Sequence, residues 1–169
     1  DQRAPVKEPV ALDTLVRQEV VAFSAQADQR ETDLGLLCAE PLVVSGDRLA
    51  LRAMLDNLID NALKYADGRS PVTVAVRPGD GWADVVVKDR GIGIPQPELE
   101  RVFERFYRVD KARSRDTGGT GLGLAIVRNV ARAHGGEILV SSREGEGSTF
   151  TLRLPLVSVP TVDKESRRG

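Results

Sequence analysis

Three groups of residues have types and spacings that could do chemistry. The run Gly118-Gly119-Thr120-Gly121-Leu122-Gly123-Leu124 places four of the chain's 16 glycines within a few positions. Leu122, Ala125, Ile126, Val130 and Ala133 then recur at helical spacing. Glycines entering a helix expose backbone N–H groups and let a bulky anion approach, so a phosphate could rest there. The run is not a GxxxxGK[ST] loop. It is not the dinucleotide fingerprint either: the third glycine position holds Leu124 and no strand precedes it. A loop that caps a helix fits the same residues.

The second group is Asn57-Leu58-Ile59-Asp60-Asn61-Ala62-Leu63-Lys64-Tyr65. Asn57 and Asn61 are four apart, as are Asp60 and Lys64, so Asn57, Asn61 and Lys64 can line one helical stripe. Asparagine is unfavourable inside a helix unless its amide finds a partner. An amide oxygen is a fair Mg²⁺ ligand beside phosphate oxygens, and Lys64 would bring a point charge to a phosphate. A solvated face with an Asp60–Lys64 pair fits equally. The third group, Asp89-Arg90-Gly91-Ile92-Gly93-Ile94-Pro95, sets a carboxylate at a strand end beside two glycines. Such a carboxylate can accept from an exocyclic amine, which favours adenine over guanine; a plain turn opened by Asp is the local alternative.

Other residues narrow the chemistry. Six basic side chains stand between Arg101 and Arg115, next to the glycine run, where they complement a phosphate. Phe103, Phe106 and Tyr107 lie among them, but the net charge of −1 argues against nucleic acid. His134 is the sole histidine and Cys38 the sole cysteine. The single cysteine excludes an internal disulfide and a cysteine metal cluster; one histidine with one cysteine argues against a zinc site, and no nucleophile–histidine–acid triad can be argued. His134 falls in a last helical turn before Gly135-Gly136, where a ring donor can satisfy terminal carbonyls.

The elements that must position these groups follow from periodicity. Leu12, Leu15, Val16, Val20 and Phe23 predict a helix over 11–30. Apolar runs at 34–38 and 42–44 predict two strands joined as a hairpin. Asp47 should cap a helix reaching about Ala66. Strands over 72–76 and 82–88 flank a Pro78-Gly79-Asp80-Gly81 turn. A short helix is expected from Pro97 to Phe103, a long loop over 104–119, a helix from Thr120 to His134, and a last hairpin of 137–141 with 149–154. Three long helices and six strands, mostly hairpin-linked, predict an α+β fold: a helix layer on one face of a mixed, largely antiparallel sheet. With 169 residues, 41% hydrophobic and 29% charged, one domain of ordinary size is expected. Residues 1–10 read as a linker and 157–169 as a disordered tail. A first residue other than Met fits a piece of a longer chain.

Taken together, these segments resemble the catalytic and ATP-binding domain of two-component sensor histidine kinases, within the gyrase, chaperone, kinase and mismatch-repair ATPase superfamily. Asn57 to Tyr65 resembles the N box, Asp89 to Pro95 the first glycine box (DxGxG), and Phe103-Glu104-Arg105-Phe106-Tyr107-Arg108 the F box. Gly119 to Leu124 is similar to the second glycine box (GxGLGL), and Gly147-Ser148-Thr149-Phe150 to the last hairpin. Order and spacing agree over residues 11–156.

The resemblance implies a Bergerat α/β sandwich that binds ATP with Mg²⁺. Asn61 would hold the metal with Asn57 beside it, Lys64 and Arg108 would approach phosphates, and Tyr65 would pack near the base. Asp89 would accept from the adenine amine, with Gly91, Gly93 and Ile94 against the base. Thr149 would reach the base side. Residues 96–120 would form a lid containing Tyr107 and Arg108, with Phe103 and Phe106 anchoring its base. Gly119, Thr120, Gly121, Leu122, Gly123 and Leu124 would meet the triphosphate. Implied partners are a dimerisation domain carrying the acceptor histidine and a response regulator receiver domain. The isolated domain would be a monomer, and the bacterial parent an inner-membrane sensor with this part in the cytoplasm.

Gyrase-like relatives carry a glutamate base where Asn57 stands, so efficient ATP hydrolysis is not expected here; phosphoryl transfer relies on positioning and charge neutralisation. The acceptor-histidine motif is absent from this sequence, and His134 has the wrong context for it. A non-catalytic ATP-binding module and an anti-sigma-type serine kinase are the alternative functions.

Overall fold

A computed structural model describes residues 7–38, 40–66, 70–104 and 123–158. The positions Phe106, Tyr107, Arg108, Gly119, Thr120, Gly121 and Leu122 lie outside the described residues.

The described elements are β1 (Glu8–Ala11), α1 (Leu12–Gln29), β2 (Leu34–Cys38), β3 (Val43–Gly46), α2 (Arg48–Tyr65), β4 (Val72–Pro78), β5 (Trp82–Asp89), α3 (Gly123–Ala133), β6 (Glu137–Arg143) and β7 (Gly147–Ser158). Local chemistry accounts for the start of α2 and the end of α3. The Asp47 side chain accepts from Leu49 N at 3.1 Å and Ala50 N at 3.3 Å, so two of the free amides of α2 are capped. At the end of α3, Gly135 has φ +74 and Gly136 N bonds Ala131 O at 2.9 Å. That is a glycine-closed Schellman turn. Gln96–Glu98 is only a 3-10 turn, shorter than the helix expected from Pro97 to Phe103.

The sheet runs β1-β3-β7-β5-β4-β2, and β6 pairs with β7 as well. β2 with β4 is parallel and the remaining pairs are antiparallel. This is the expected α+β sandwich with a mixed, mostly antiparallel sheet. Three details differ from expectation. β2 and β3 do not form a hairpin: β2 pairs with β4, and β3 with β1 and β7. Short apolar runs state that a strand must bury one face, not which strand it joins. Residues 8–10, expected as linker, belong to β1, where Val10 is buried opposite Val44. β7 extends through Ser158, so residues 157–158 are strand rather than tail.

The core lies between sheet and helices. Leu51, Met54, Leu55, Leu58, Ile59 and Leu63 of α2 are at most 1% exposed and pack with Val72, Val74, Val85, Val87, Leu152 and Leu154 of the sheet. Burying a side chain of this size is worth roughly 1.5–3 kcal/mol. α2 is thereby fixed on β4 and β5, and its polar stripe is held at the end of β5.

Candidate functional site

The site is built where the C-terminal end of α2 meets the turn after β5. Asp89 is the last residue of β5 and is 4% exposed. Its Oδ1 accepts from Gly91 N at 2.8 Å and from Ser148 N at 3.3 Å. Among the described residues Oδ2 has no hydrogen-bond partner. Burial pushes the Asp89 carboxyl above the usual aspartate range, and the two backbone N–H bonds pull it back. A buried carboxylate with one oxygen held by the backbone and the other unengaged is an acceptor placed in advance of its donor.

The two glycines of the turn are needed for close backbone approach. A Cβ on Gly91 would stand 1.7 Å from Tyr65 O, and one on Gly93 2.0 Å from Arg143 O. Gly93 also has φ +71, a conformation that costs any residue with a Cβ. Ile92 N donates to Tyr65 O at 3.3 Å and Gly145 N donates to Ile92 O at 2.7 Å. The turn is thus clamped between the end of α2 and the β6–β7 hairpin. Ser142 completes the clamp. Its Oγ accepts from Ile94 N at 2.8 Å, donates to Gly147 O at 2.8 Å and lies 2.8 Å from Ser148 Oγ. Sequence reasoning missed Ser142 and Ser148. The available signal was the pairing of a hairpin serine with a glycine of known turn type, which needs the hairpin register.

That register corrects one expectation. Asp89 pairs with Ser148, and Lys88 with Thr149. Paired residues share a face and neighbours alternate. Ser148 therefore lies on the Asp89 face, with Phe150 and Leu152 of the core, whereas Thr149 lies on the opposite face with exposed Lys88. Thr149, expected on the base side, is therefore on the face away from Asp89, and Ser148 stands beside Asp89 instead.

On α2, Asn57 and Asn61 are both half-buried and share a stripe. Asn57 Nδ2 donates to Ala53 O at 2.9 Å, which leaves its amide oxygen without a partner among the described residues. The Asn61 side chain makes no hydrogen bond with any described residue. Two amide oxygens one turn apart and unengaged suit a hard cation that keeps most of its waters. Lys64 Nζ is 3.0 Å from Asp60 Oδ2, and Asp60 Oδ1 accepts from Gln26 Nε2 at 3.1 Å. The Lys64 charge is therefore already shared. Tyr65 is half-buried at the end of the helix, and Ile94 is buried beyond the turn.

α3 starts at Gly123, and half-buried Leu124 packs on the core. Phe103 meets Phe150 edge-on at 6.2 Å, and the Arg128 guanidinium lies over its ring at 6.0 Å. A groove of about 310 Å³ that shares Asn57 and Asp60 with the α2 stripe is lined also by Glu19, Ala22, Phe23, Arg52 and Asp56. It includes none of the turn residues that hold Asp89, so it is not the center of this site. Within it, burial together with Asp56 pushes the Glu19 carboxyl up to about 7, against Arg52, whose Nε is 3.0 Å from Glu19 Oε1.

A comparison with known proteins bears on this arrangement. Residues 46–158 match the family described as Histidine kinase-, DNA gyrase B-, and HSP90-like ATPase. The chain belongs to this family. It is 42% identical over 166 residues to the sensor-like histidine kinase SenX3 of Mycolicibacterium smegmatis, covering 98% of this chain and 43% of that protein. It is 50% identical over 116 residues to the sensor histidine kinase WalK of Bacillus subtilis, covering 68% of this chain and 19% of that protein. The chain thus spans less than half the length of these relatives. Among solved structures, the mycobacterial sensor histidine kinase MprB superposes with a TM-score of 0.78 at 31% identity, over 89% of this chain and 98% of that one. ShkA, solved in complex with AMPPNP, superposes with a TM-score of 0.77 at 29% identity, over 89% of this chain and 31% of that one. The fold is that of histidine kinase catalytic domains. No helix of the described residues is long and apolar enough to cross a membrane.

Proposed function

We propose that this chain binds ATP with Mg²⁺ and supports transfer of the γ-phosphoryl group to a histidine on a dimerisation domain of the same kinase, from which a response regulator receives it. The observation that carries the reading is Asp89: a buried carboxylate with one oxygen held by two backbone amides and the other unengaged among the described residues. Asp89 would accept from the exocyclic amine of adenine, and Ser148 on the same face would border the base. Gly91, Gly93 and Ile94 form the wall beside it, with Tyr65 at its edge. Asn61, with Asn57 one turn away, would hold Mg²⁺, which supplies charge neutralisation on phosphate oxygens. Lys64 would reach a phosphate by exchanging its Asp60 partner. Arg108, Tyr107 and the Gly119–Leu124 run keep their expected phosphate-side roles as part of the proposal, in a lid of about 96–120. Asn57 cannot take a proton from water, which supports transfer to a partner over hydrolysis. The kinase parent would be a bacterial inner-membrane sensor with this domain on the cytoplasmic side, and no nucleic acid partner is invoked.

The test supplies the dimerisation domain in trans with labelled ATP. Acid-labile, base-stable label on that domain's histidine is the expected result. Label on serine of another partner, or bound ATP with no transfer, overturns the reading in favour of a serine kinase or a regulatory module.

A further inference from the structure

His134 takes no part in the site described above, yet it is 4% exposed and fully engaged. Its Nε2 lies 3.0 Å from Asp47 N, and its Nδ1 lies 2.8 Å from Val130 O. A backbone amide can only donate and a carbonyl can only accept. Both contacts are therefore met by one species alone, the neutral imidazole with its proton on Nδ1. The ring joins the last turn of α3 to the residue that opens α2. Asp47 is gripped twice: its amide by His134, and its carboxylate by Leu49 N and Ala50 N. Gly46 makes room for the ring. A Cβ there would stand 2.9 Å from His134 Cδ2 and 2.7 Å from Leu51 Cδ1.

This joint lies far from the site but at the root of both helices that serve it. α2 runs from the joint to Asn57 and Asn61, and α3 runs back from it to Gly123 at the glycine run. At 1.5 Å per residue, Asn61 is roughly 21 Å along α2 and Gly123 roughly 16 Å along α3 from the joint. α2 and α3 also pack against each other, and the joint holds one end of that pair, so its loss lets the helices shift and changes how far apart their phosphate-side ends stand. The adenine side depends on different contacts, those of Asp89, Gly91, Gly93 and the β6–β7 hairpin.

We propose that His134 is a positioning residue for the phosphate end of the nucleotide site: its neutral imidazole locks α3 to the start of α2 and so fixes the spacing of Gly123 and Asn61. The inference rests on the ATP reading. His134→Leu removes both polar contacts at similar volume; His134→Gln keeps an oxygen that can accept from Asp47 N. ATP·Mg²⁺ and adenosine are titrated against the wild-type chain and both variants, below their thermal midpoints. For His134→Leu, the ATP dissociation constant should rise about fivefold or more while that for adenosine stays within about twofold. His134→Gln should recover most of the loss. Equal changes for the two ligands, or a lower thermal midpoint with unchanged ATP binding, would make His134 a purely structural residue and overturn the proposal. The ¹⁵N spectrum of the nucleotide-free wild type gives a readout independent of binding: His134 must show a neutral ring protonated at Nδ1 at neutral pH, and an imidazolium or the Nε2–H form refutes the joint. A wild-type chain that shows this ring but binds no ATP removes the ATP reading instead.

Discussion

Asp89 and Glu19 are carboxylates buried to nearly the same degree, 4% and 3% exposed, and burial raises the pKa of both. Their partners differ. Asp89 is held by two backbone amides, one in its own turn and one on β7, so its position follows from the sheet and the turn. Glu19 is held by side chains: Arg52, whose side chain is 58% exposed, and Asp56, a second carboxylate. Backbone donors are rigid and leave Oδ2 of Asp89 for a ligand. Side-chain partners are adjustable and already occupy Glu19. Burial of an acid is thus a weak sign of a binding site; what holds the acid, and which oxygen is left over, is a stronger one.

The comparison breaks most severely at Gly91. Gly91→Ala puts a methyl into Tyr65 O, so the turn must open or α2 must shift. We expect a loss of stability of about 3 kcal/mol or more, with nucleotide binding lost alongside, measured by urea unfolding and calorimetry. A variant within about 0.5 kcal/mol of the parent would mean that the clamp does not position Asp89.

Asp89→Asn tests the acceptor itself. The amide oxygen can still accept from Gly91 N and Ser148 N, so the fold should persist. Adenine-nucleotide binding should weaken by roughly 1–3 kcal/mol, as expected for a lost charged hydrogen bond. Because the Asp89 pKa is raised, wild-type affinity should fall on acidification before the ordinary aspartate range is reached, and this dependence should vanish in the variant. Calorimetric titration across pH decides; equal affinities of the two proteins would remove Asp89 from recognition.

Glu19 should behave oppositely. Its pKa is 4.5 when unperturbed and about 7 in the fold, so the fold favours the protonated form. That contribution is complete below pH 4.5 and is lost as pH rises through about 7. Glu19→Gln should therefore flatten unfolding free energy between pH 4.5 and 7 by about 1–2 kcal/mol, with nucleotide affinity unchanged. An unaltered pH slope would refute the assignment. The smallest effect is expected at the half-exposed Asp60–Lys64 pair, whose contribution to stability is about 0.3–0.5 kcal/mol and salt-sensitive. Lys64→Met should cost no more than that in urea unfolding; a loss several times larger would mark the pair as structural.

Much of this was legible in the residues. Asp47 caps α2 because a short carboxylate before an apolar-periodic run reaches the second and third free amides, a contact within three residues. Asn57, Asn61 and Lys64 share a stripe because helical spacing alone puts them there. The Asp89 turn carries its glycines where the backbone needs them. Glu19 was less visible, although it left a trace: it falls on the apolar stripe of Leu12, Leu15, Val16 and Phe23, where a charge must find company.

The sequence by itself determined what depends on neighbours along the chain: three helices, the Asp47 cap of α2, the Gly135-Gly136 end of α3, the Asp-x-Gly-x-Gly turn and the family. Tertiary structure alone decided what depends on partners far apart in sequence. β2 lies beside β4 and not β3, Ser148 rather than Thr149 faces Asp89, and His134 meets Asp47 across 87 residues. Local pattern says which face a segment buries, not which distant segment it meets, and for a strand it leaves even the face open. A strand's alternation repeats every two residues, so a one-residue change of register exchanges its faces without altering its local pattern. Only the paired sheet and the packed helices distinguish the two.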